Sequence, residues 1–284
     1  AALPLNMALN WALIFGNWGA PEMGVQGAAI ATVVVQVFSL VLVTAYATFL
    51  PSLARYHLFQ RFWRPDWPGF RAVFRLGWPM GMTGLAESGL FQASALMMGW
   101  IGTAELAAHG IALEITALTF MVHVGLSNAV TVRTGRAHGA GDALGLRQGA
   151  QTGVALSLLF ASVTVAIFLL FPEPLISPFL NPADPDRALI IATGTALLAC
   201  AALFQLADSM QVMALGLLAG VQDTKVPMIL ASVSYWVIGI PASYALAFPL
   251  GFGGVGLWLG LVIGLAAAAV SLMVRFWSRV SRPG

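Results

Sequence analysis

The sequence predicts an all-α polytopic membrane protein with about eight transmembrane helices. Hydrophobic residues fill 59% of its 284 positions and charged residues only 8%, whereas a soluble domain carries about 25% charged residues. The apolar stretches reach the roughly 20 residues that cross a bilayer core, and they do not alternate with a period of two. Backbone groups in lipid must be paired within a helix or a closed barrel, so the pattern favours helices.

Polar breaks divide the chain into its predicted membrane spans. The longest break, residues 51–71, is predicted to be a linker between two helix bundles. The opening residues AALPLNMALNW lack a basic signal region and resemble the interior of a longer protein. The predicted spans are 1–16, 27–50, 72–100, 106–131, 147–171, 188–219, 225–248 and 254–276.

Basic residues lie almost entirely on one face of this arrangement, and Arg187, near Glu173, Asp184 and Asp186, is the exception. Cytoplasmic loops are enriched in Lys and Arg, so residues 51–75 and the C-terminus are predicted to be cytoplasmic. A basic, Trp-rich stretch beside a span is typical of the lipid interface, which favours membrane lipid over nucleic acid as its partner. The twelve residues on this face are Arg55, Arg61, Arg64, Arg71, Arg75, Arg133, Arg136, Arg147, Lys225, Arg275, Arg279 and Arg282.

Two carboxylates stand near the middle of predicted spans: Glu87 in 72–100 and Asp208 in 188–219. Placing a carboxylate at a helix centre costs on the order of 3 kcal/mol, and each lies on the order of 18–20 Å from its nearer helix end. Two carboxylates facing one cavity repel, so one of them holds a proton unless a metal cation lies between them. The alternative is that each is protonated and bonds only a neighbouring helix. Because no mid-span Lys or Arg pairs with them, the sequence favours a proton or sodium site.

Helical spacing places further polar residues on the faces of these acids. Large soft side chains nearby are candidates for lining a substrate cavity, because methionine and aromatic residues adapt to varied ligands. The role of Glu114 stays open, and His109 and His123 are interpreted as packing residues. The polar candidates are Thr83, Ser94, Gln205 and Gln211, and the soft candidates are Phe91, Met97, Met98, Phe204, Met210 and Met213, of which Phe91, Met98 and Met213 are the predicted substrate-lining residues.

Other kinds of site find little support in the sequence. The lone Cys200 excludes disulfides and cysteine-based metal cages. Neither a Ser/His/Asp grouping nor a phosphate-binding loop is evident. The two acids are therefore the only feature that supports an enzymatic function. No cofactor is predicted beyond a coupling H+ or Na+.

Several segments resemble the multidrug and toxic compound extrusion (MATE) family, close to its NorM-type branch. Residues 79–142 are similar to its seventh and eighth helices, most specifically in MGWIGTAELAAHGIAL and GLSNAVTVRTGRAHGAGD. Residues 204–225, FQLADSMQVMALGLLAGVQDTK, resemble the tenth helix and the next loop. YWVIGIPASYALAF (235–248) and GFGGVGLWLG (251–260) resemble the eleventh helix and the start of the twelfth. The resemblance covers nearly the whole chain.

The resemblance implies two six-helix bundles around a central cavity. Residues 1–50 would form the last two helices of the N-terminal bundle, and residues 72–284 the complete second bundle. The family's acidic pair falls on Glu87 and Asp208. Where the NorM-type branch usually has a tyrosine this chain has Phe204, which favours protons over sodium, and Ala219 stands where an arginine is common.

The function implied is a secondary-active, cation-coupled antiporter that exports organic, often cationic, compounds by alternating access. It would act as a monomer, when complete, in a plasma membrane such as the bacterial inner membrane. A lipid-linked precursor flippase of related architecture is an alternative, but it would need basic residues within its cavity. An intramembrane enzyme using the carboxylate pair and a non-transporting assembly factor are the others.

Overall fold

The computed structural model describes residues 2–19, 21–50, 63–182 and 185–280. Within these ranges every regular element is helical, which confirms the predicted fold class. The chain forms two compact units, Ala1–Trp67 and Pro68–Gly284. Residues 51–62, which include Arg55, Arg61 and most of the predicted linker, lie outside the described part, as do Asp184 and Arg282. The proposed limits of the linker therefore stay a prediction.

The first unit is a helical hairpin. Helix α1, Ala2–Phe15, leads through a 3₁₀ turn, Asn17–Gly19, into helix α2, Gly24–Phe49. The amide of Met23 donates to the carbonyl of Leu13 at 3.0 Å. The two helices approach closely at Gly27, because glycine has no Cβ. A Cβ at this position would meet the backbone of Leu13.

The described part of the second unit contains six long helical segments, one short helix and a 3₁₀ turn, Ser177–Phe179. Three consecutive pieces, α8, a π-helical segment and α9, form one continuous run. The elements are α3 Trp67–Ile101, α4 Thr103–Gly139, α5 Ala143–Leu170, α6 Pro172–Ile176, α7 Arg187–Gly220, α8 Lys225–Val233, the π-helical segment Ser234–Gly239, α9 Ile240–Ala247 and α10 Gly253–Val280.

Each predicted span corresponds to a helix, but several helices extend beyond their predicted ends. Helix α3 begins at Trp67 rather than at residue 72, and α4 ends at Gly139 rather than at residue 131. Apolarity marks only the part of a helix inside hydrocarbon, whereas helices continue through the headgroup region. Six segments in the described part are long and apolar enough to cross a membrane; α1 and α3 are not among them.

Helix α7 is the centre of the second unit and packs against α4, α5 and α10. Ser127 Oγ on α4 donates to the carbonyl of Val212 at 2.8 Å, and Thr131 Oγ1 donates to that of Gly216 at 2.9 Å. Gly216 and Gly220 lack the side chains that would block this approach, because a Cβ at either would meet the backbone of α4. Small residues and hydroxyl bonds therefore join α4 and α7 closely.

Helix α3 is held differently. Among the described helices, its Cα atoms stay more than 8 Å from those of its neighbours almost throughout. Its contacts are made by long side chains instead: Trp236 Nε1 donates to the carbonyl of Ala86 at 3.1 Å, and the Trp100 ring lies 6.1 Å from that of Phe248. The helix that carries Glu87 is thus attached by side chains rather than by close backbone contact.

Candidate functional site

The two mid-span acids meet at one cavity of about 200 Å³. Asp208 extends from the central helix α7 and is only 2% exposed. Glu87 reaches the same space from α3. The cavity is lined by Glu87, Phe91, Leu113, Thr116, Ala117, Phe120, Phe204 and Asp208. The structure therefore brings the predicted acidic pair together, in a setting that is otherwise largely apolar.

Glu87 also lines a second cavity, of about 240 Å³, which lies toward the ends of α3 and α7 that carry Trp67 and Gly220. This cavity has a more polar wall, with hydroxyl and amide groups from Thr83, Ser127, Asn128 and Thr131, and it extends to Asp223. Among the described residues, Glu87 is the one that lines both cavities. Its carboxylate therefore stands between an aromatic cavity and a polar one.

Aromatic rings surround the position where the resemblance would have a tyrosine. The ring of Phe204 is 5.9 Å from that of Phe91 and 5.5 Å from that of Trp258, measured between centroids. Phe204 is 1% exposed and Trp258 is fully buried. Both contacts are tilted or edge-on, as aromatic pairs prefer. This side of the acid cavity offers no hydroxyl to a cation.

His109 is fixed in one tautomer by its neighbours. The indole Nε1 of Trp258 lies 3.1 Å from His109 Nδ1, and because an indole N–H can only donate, Nδ1 must accept. The proton of the neutral ring is then on Nε2, 3.4 Å from Ser94 Oγ. Ser94 thus faces His109 and does not line either cavity. This geometry agrees with a packing role for His109, since protonation of Nδ1 would break the Trp258 bond.

Several buried polar atoms near Asp208 lack a hydrogen-bond partner among the described residues. They are Asp208 Oδ1, both amide atoms of Gln205 and Oε1 of Gln211. Gln205 and Gln211 are each fully buried. Buried polar atoms are normally bonded to protein, water or an ion. These atoms lie within two turns of α7, and neither Gln205 nor Gln211 is among the residues that line the two cavities.

The structure adds a residue that the sequence analysis missed. Gln211 Nε2 donates to the hydroxyl of Tyr235 at 2.6 Å, and Tyr235 is fully buried. Gln211 follows Asp208 by three residues on α7, so this bond places the Tyr235 hydroxyl on the side of α7 that carries Asp208. Tyr235 belongs to the π-helical segment, where the usual helical periodicity fails. The motif YWVIGIP, with a proline six residues after the tyrosine, was the available signal.

The remaining predicted residues divide into two groups. Thr83 lines the polar cavity and Phe91 the aromatic one. Met98 and Met213 are fully buried in the core and line neither cavity, so their role as substrate-lining residues is not supported by a position at the site. Glu114 is exposed on the second unit.

The donor set around the acids consists of carboxylate, amide and hydroxyl oxygens, which suit a proton or a hard metal cation. Within the described residues there is no group of three or more His, Cys, Asp or Glu side chains arranged to hold a metal ion. The acidic pair can therefore exchange a proton or bind one small cation with help from neutral oxygens.

Fold and site together define a polytopic α-helical membrane protein with an acidic pair inside a helix bundle. The profile of the MatE family matches residues 79–245, so the chain belongs to this family, as the motifs indicated. It is 48% identical over 280 residues to a probable multidrug resistance protein NorM of Rhizobium meliloti, and 44% identical to the one of Agrobacterium fabrum. Each alignment covers 99% of this chain and 60% of the relative.

Solved structures give the same fold. A crystal structure of a MATE protein in the straight conformation superposes with a TM-score of 0.84 at 22% identity, covering 99% of this chain and 61% of that one. The eukaryotic MATE transporter AtDTX14 gives 0.81 at 20% identity, covering 98% and 63%. The chain spans about 60% of the length of the curated relatives it matches in sequence. The family consists of multi-pass membrane transporters rather than enzymes.

Proposed function

We propose that the complete protein is a cation-coupled antiporter that exports small organic compounds, many of them cationic. One observation supports this above the others: Glu87 and the buried Asp208 line one cavity, and no Lys or Arg is among the residues that line it. An unpaired buried carboxylate is costly, and in membrane proteins such groups mark ion and proton pathways. The names of the relatives, which are multidrug resistance proteins, support small organic substrates.

The size of the aromatic cavity favours the ion over the drug as its occupant. Pockets for drug-sized ligands usually measure about 300–1,000 Å³, whereas this cavity measures about 200 Å³. It suits a partly hydrated cation or a proton with water. Phe91 and Phe204 form the aromatic part of its wall, and aromatic faces attract organic cations. We assign the acids to the coupling ion and this aromatic wall to the edge of the substrate path.

Alternating access provides the mechanism. An ion at Glu87 and Asp208 stabilises one conformation, and the substrate stabilises the other. Inward movement of one charge releases about 2.3 kcal/mol per 100 mV of membrane potential. At tenfold per 1.4 kcal/mol, this supports a substrate gradient of about fortyfold. The protein would act as a monomer in the bacterial inner membrane, with the C-terminus in the cytoplasm.

The test uses the full-length protein from the reading frame that contains this chain. Asp208→Asn and Glu87→Gln keep volume and polarity but cannot exchange a proton or balance a cation. We expect each to abolish gradient-driven dye efflux from proteoliposomes while dye binding is retained. The double variant should be little worse than either single variant, because residues that act as a unit are non-additive. Glu173→Gln, which neutralises an exposed acid, is the control.

Sodium and proton gradients are imposed separately to identify the ion. Wild-type coupling in both Asp208→Asn and Glu87→Gln would show that these carboxylates are packing residues and would overturn the proposal. Loss of dye binding together with transport would assign them to the substrate instead, which contradicts the ion role.

A further inference from the structure

The π-helical segment Ser234–Gly239 interrupts an otherwise continuous helix beside the acidic pair. Its cause is readable in the sequence: Pro241 lacks the amide hydrogen that would bond to the carbonyl of Val237 in an α-helix. A wider turn relieves this conflict, and such π segments occur frequently at functional sites. The result here is that two adjacent aromatic residues have different environments. Tyr235 is fully buried, whereas Trp236 is 46% exposed.

Tyr235 is oriented by one strong contact. Gln211 Nε2 donates to its hydroxyl oxygen at 2.6 Å. A phenol can accept further bonds and also has its own O–H to donate, and the described residues show no other hydrogen bond for it. The hydroxyl therefore retains both a proton and a lone pair for a partner on the side of α7 where Asp208 precedes Gln211 by three residues.

The surrounding atoms indicate what that partner is. Asp208 Oδ1, Gln211 Oε1 and the amide of Gln205 are buried and have no bond to the described residues. The oxygens among them, with the phenol oxygen, are ligands for a small hard cation or for water that carries a proton. Phe204 contributes only a ring to the wall of the acid cavity. A hydroxyl for the ion is available from another helix, at Tyr235.

We propose that the Tyr235 hydroxyl is a third oxygen of the coupling-ion site, held in place by Gln211 and presented by the π-helical segment. This inference rests on the proposed coupling function of Glu87 and Asp208. It adds a residue that sets ion affinity and extends the site from α3 and α7 to a third helix.

A second contact ties the same segment to the other acid. Trp236 Nε1 donates to the carbonyl of Ala86 at 3.1 Å, and Ala86 immediately precedes Glu87. Gly89, one turn later on α3, leaves room for the Trp236 ring, because a Cβ there would lie 2.7 Å from it. One turn of helix therefore positions both the phenol and the backbone that carries Glu87.

The decisive variant is Tyr235→Phe in the full-length protein, assayed as ethidium efflux from proteoliposomes against graded sodium and proton concentrations. Loss of an oxygen that binds or orients the ion should raise the half-saturating ion concentration about tenfold. The rate at saturating ion should stay within about twofold. Tyr244→Phe is the matched control, because it removes a phenol hydroxyl from an exposed residue of the same run. It should leave the ion dependence unchanged.

Two further variants keep the outcome clear. Gln211→Leu removes the bond that orients the phenol together with the unbonded Gln211 Oε1, so it should shift ion dependence at least as far as Tyr235→Phe. Phe204→Tyr in the Tyr235→Phe background returns a hydroxyl to the site and should recover part of the lost affinity. Wild-type ion dependence in Tyr235→Phe and Gln211→Leu, with dependence lost in Glu87→Gln, would overturn this inference alone. Wild-type dependence in Glu87→Gln as well would overturn the proposed function and the inference together.

Discussion

Replacing Trp258 by phenylalanine isolates a single polar contact in a largely apolar bundle. The indole Nε1 donates to His109 Nδ1, and both residues are fully buried. Phenylalanine keeps an aromatic ring against Phe204 but has no N–H. The substitution therefore removes the bond that fixes the His109 tautomer, together with a small part of the packed volume.

The expected cost follows from these two losses. Reducing the indole to a phenyl ring removes roughly 40 Å³, which at about 24 cal/mol per Å³ costs about 1 kcal/mol. An acceptor left unpaired in a protein interior costs about 1–3 kcal/mol, but hydrogen bonds between membrane helices couple by only about 0.6 kcal/mol on average and about 1.7 at most. We therefore expect Trp258→Phe to lower the free energy of unfolding by about 2 kcal/mol, and about half of that to depend on His109.

The assay is reversible unfolding of the purified protein by SDS in mixed micelles. A double-mutant cycle with His109→Leu measures the coupling, because the double variant leaves no orphaned acceptor. Trp100→Phe is the control: Trp100 is 61% exposed and should change stability by less than about 0.5 kcal/mol. Strictly additive losses in Trp258→Phe and His109→Leu would refute the hydrogen-bond argument and leave volume as the whole effect.

Two other predictions concern packing and topology. Gly216→Ala should destabilise the protein by about 1–3 kcal/mol, since its Cβ would lie 2.9 Å from the carbonyl oxygen of Ser127. Gly125→Ala, with nothing within 4 Å of its Cβ, should be tolerated in the same SDS titration. For topology, a cysteine at Arg279 should resist a membrane-impermeant thiol reagent in intact cells, whereas one at Arg187 should react. Labelling of the cysteine at position 279 but not of the one at position 187 would contradict the predicted orientation and indicate the opposite one.

The acidic pair could be predicted because the free-energy cost of placing a carboxylate in a membrane span depends on its position in its own helix. A carboxylate in mid-span is unfavourable wherever the neighbouring helices lie, so Glu87 and Asp208 could be identified without a structure. The positions of the helices were predictable for a similar reason, since apolar length is read along the chain, although six of the described segments are long and apolar enough to cross a membrane rather than the eight predicted. The MATE resemblance then supplied the grouping of these spans, which composition alone does not contain.

Helical periodicity did not predict the positions of three residues: Tyr235, Met98 and Met213. Helical periodicity assumes 3.6 residues per turn, and the wider turn before Pro241 changes the direction of Tyr235. Periodicity also identifies a face without identifying what covers it. Met98 lies on the face of α3 that carries Glu87, but α10 packs closely against it at Gly254. A Cβ on Gly254 would lie only 3.2 Å from the Met98 sulfur. The contact with α10 buries Met98 in the core, and the sequence pattern of α3 alone cannot predict this contact.

The wide spacing of α3 has a mechanical consequence. Hydroxyl bonds and glycines join the backbones of α4 and α7, so we expect this pair to be stiff, whereas side-chain tips connect α3 to its neighbours, so we expect α3 to be more compliant. An ion held by both Glu87 and Asp208 crosslinks the compliant helix to the stiff centre. Its arrival would damp the rotation of α3 about its own axis, and its departure would restore it. If the proposed ion binds there, its occupancy would control the torsional freedom of one helix.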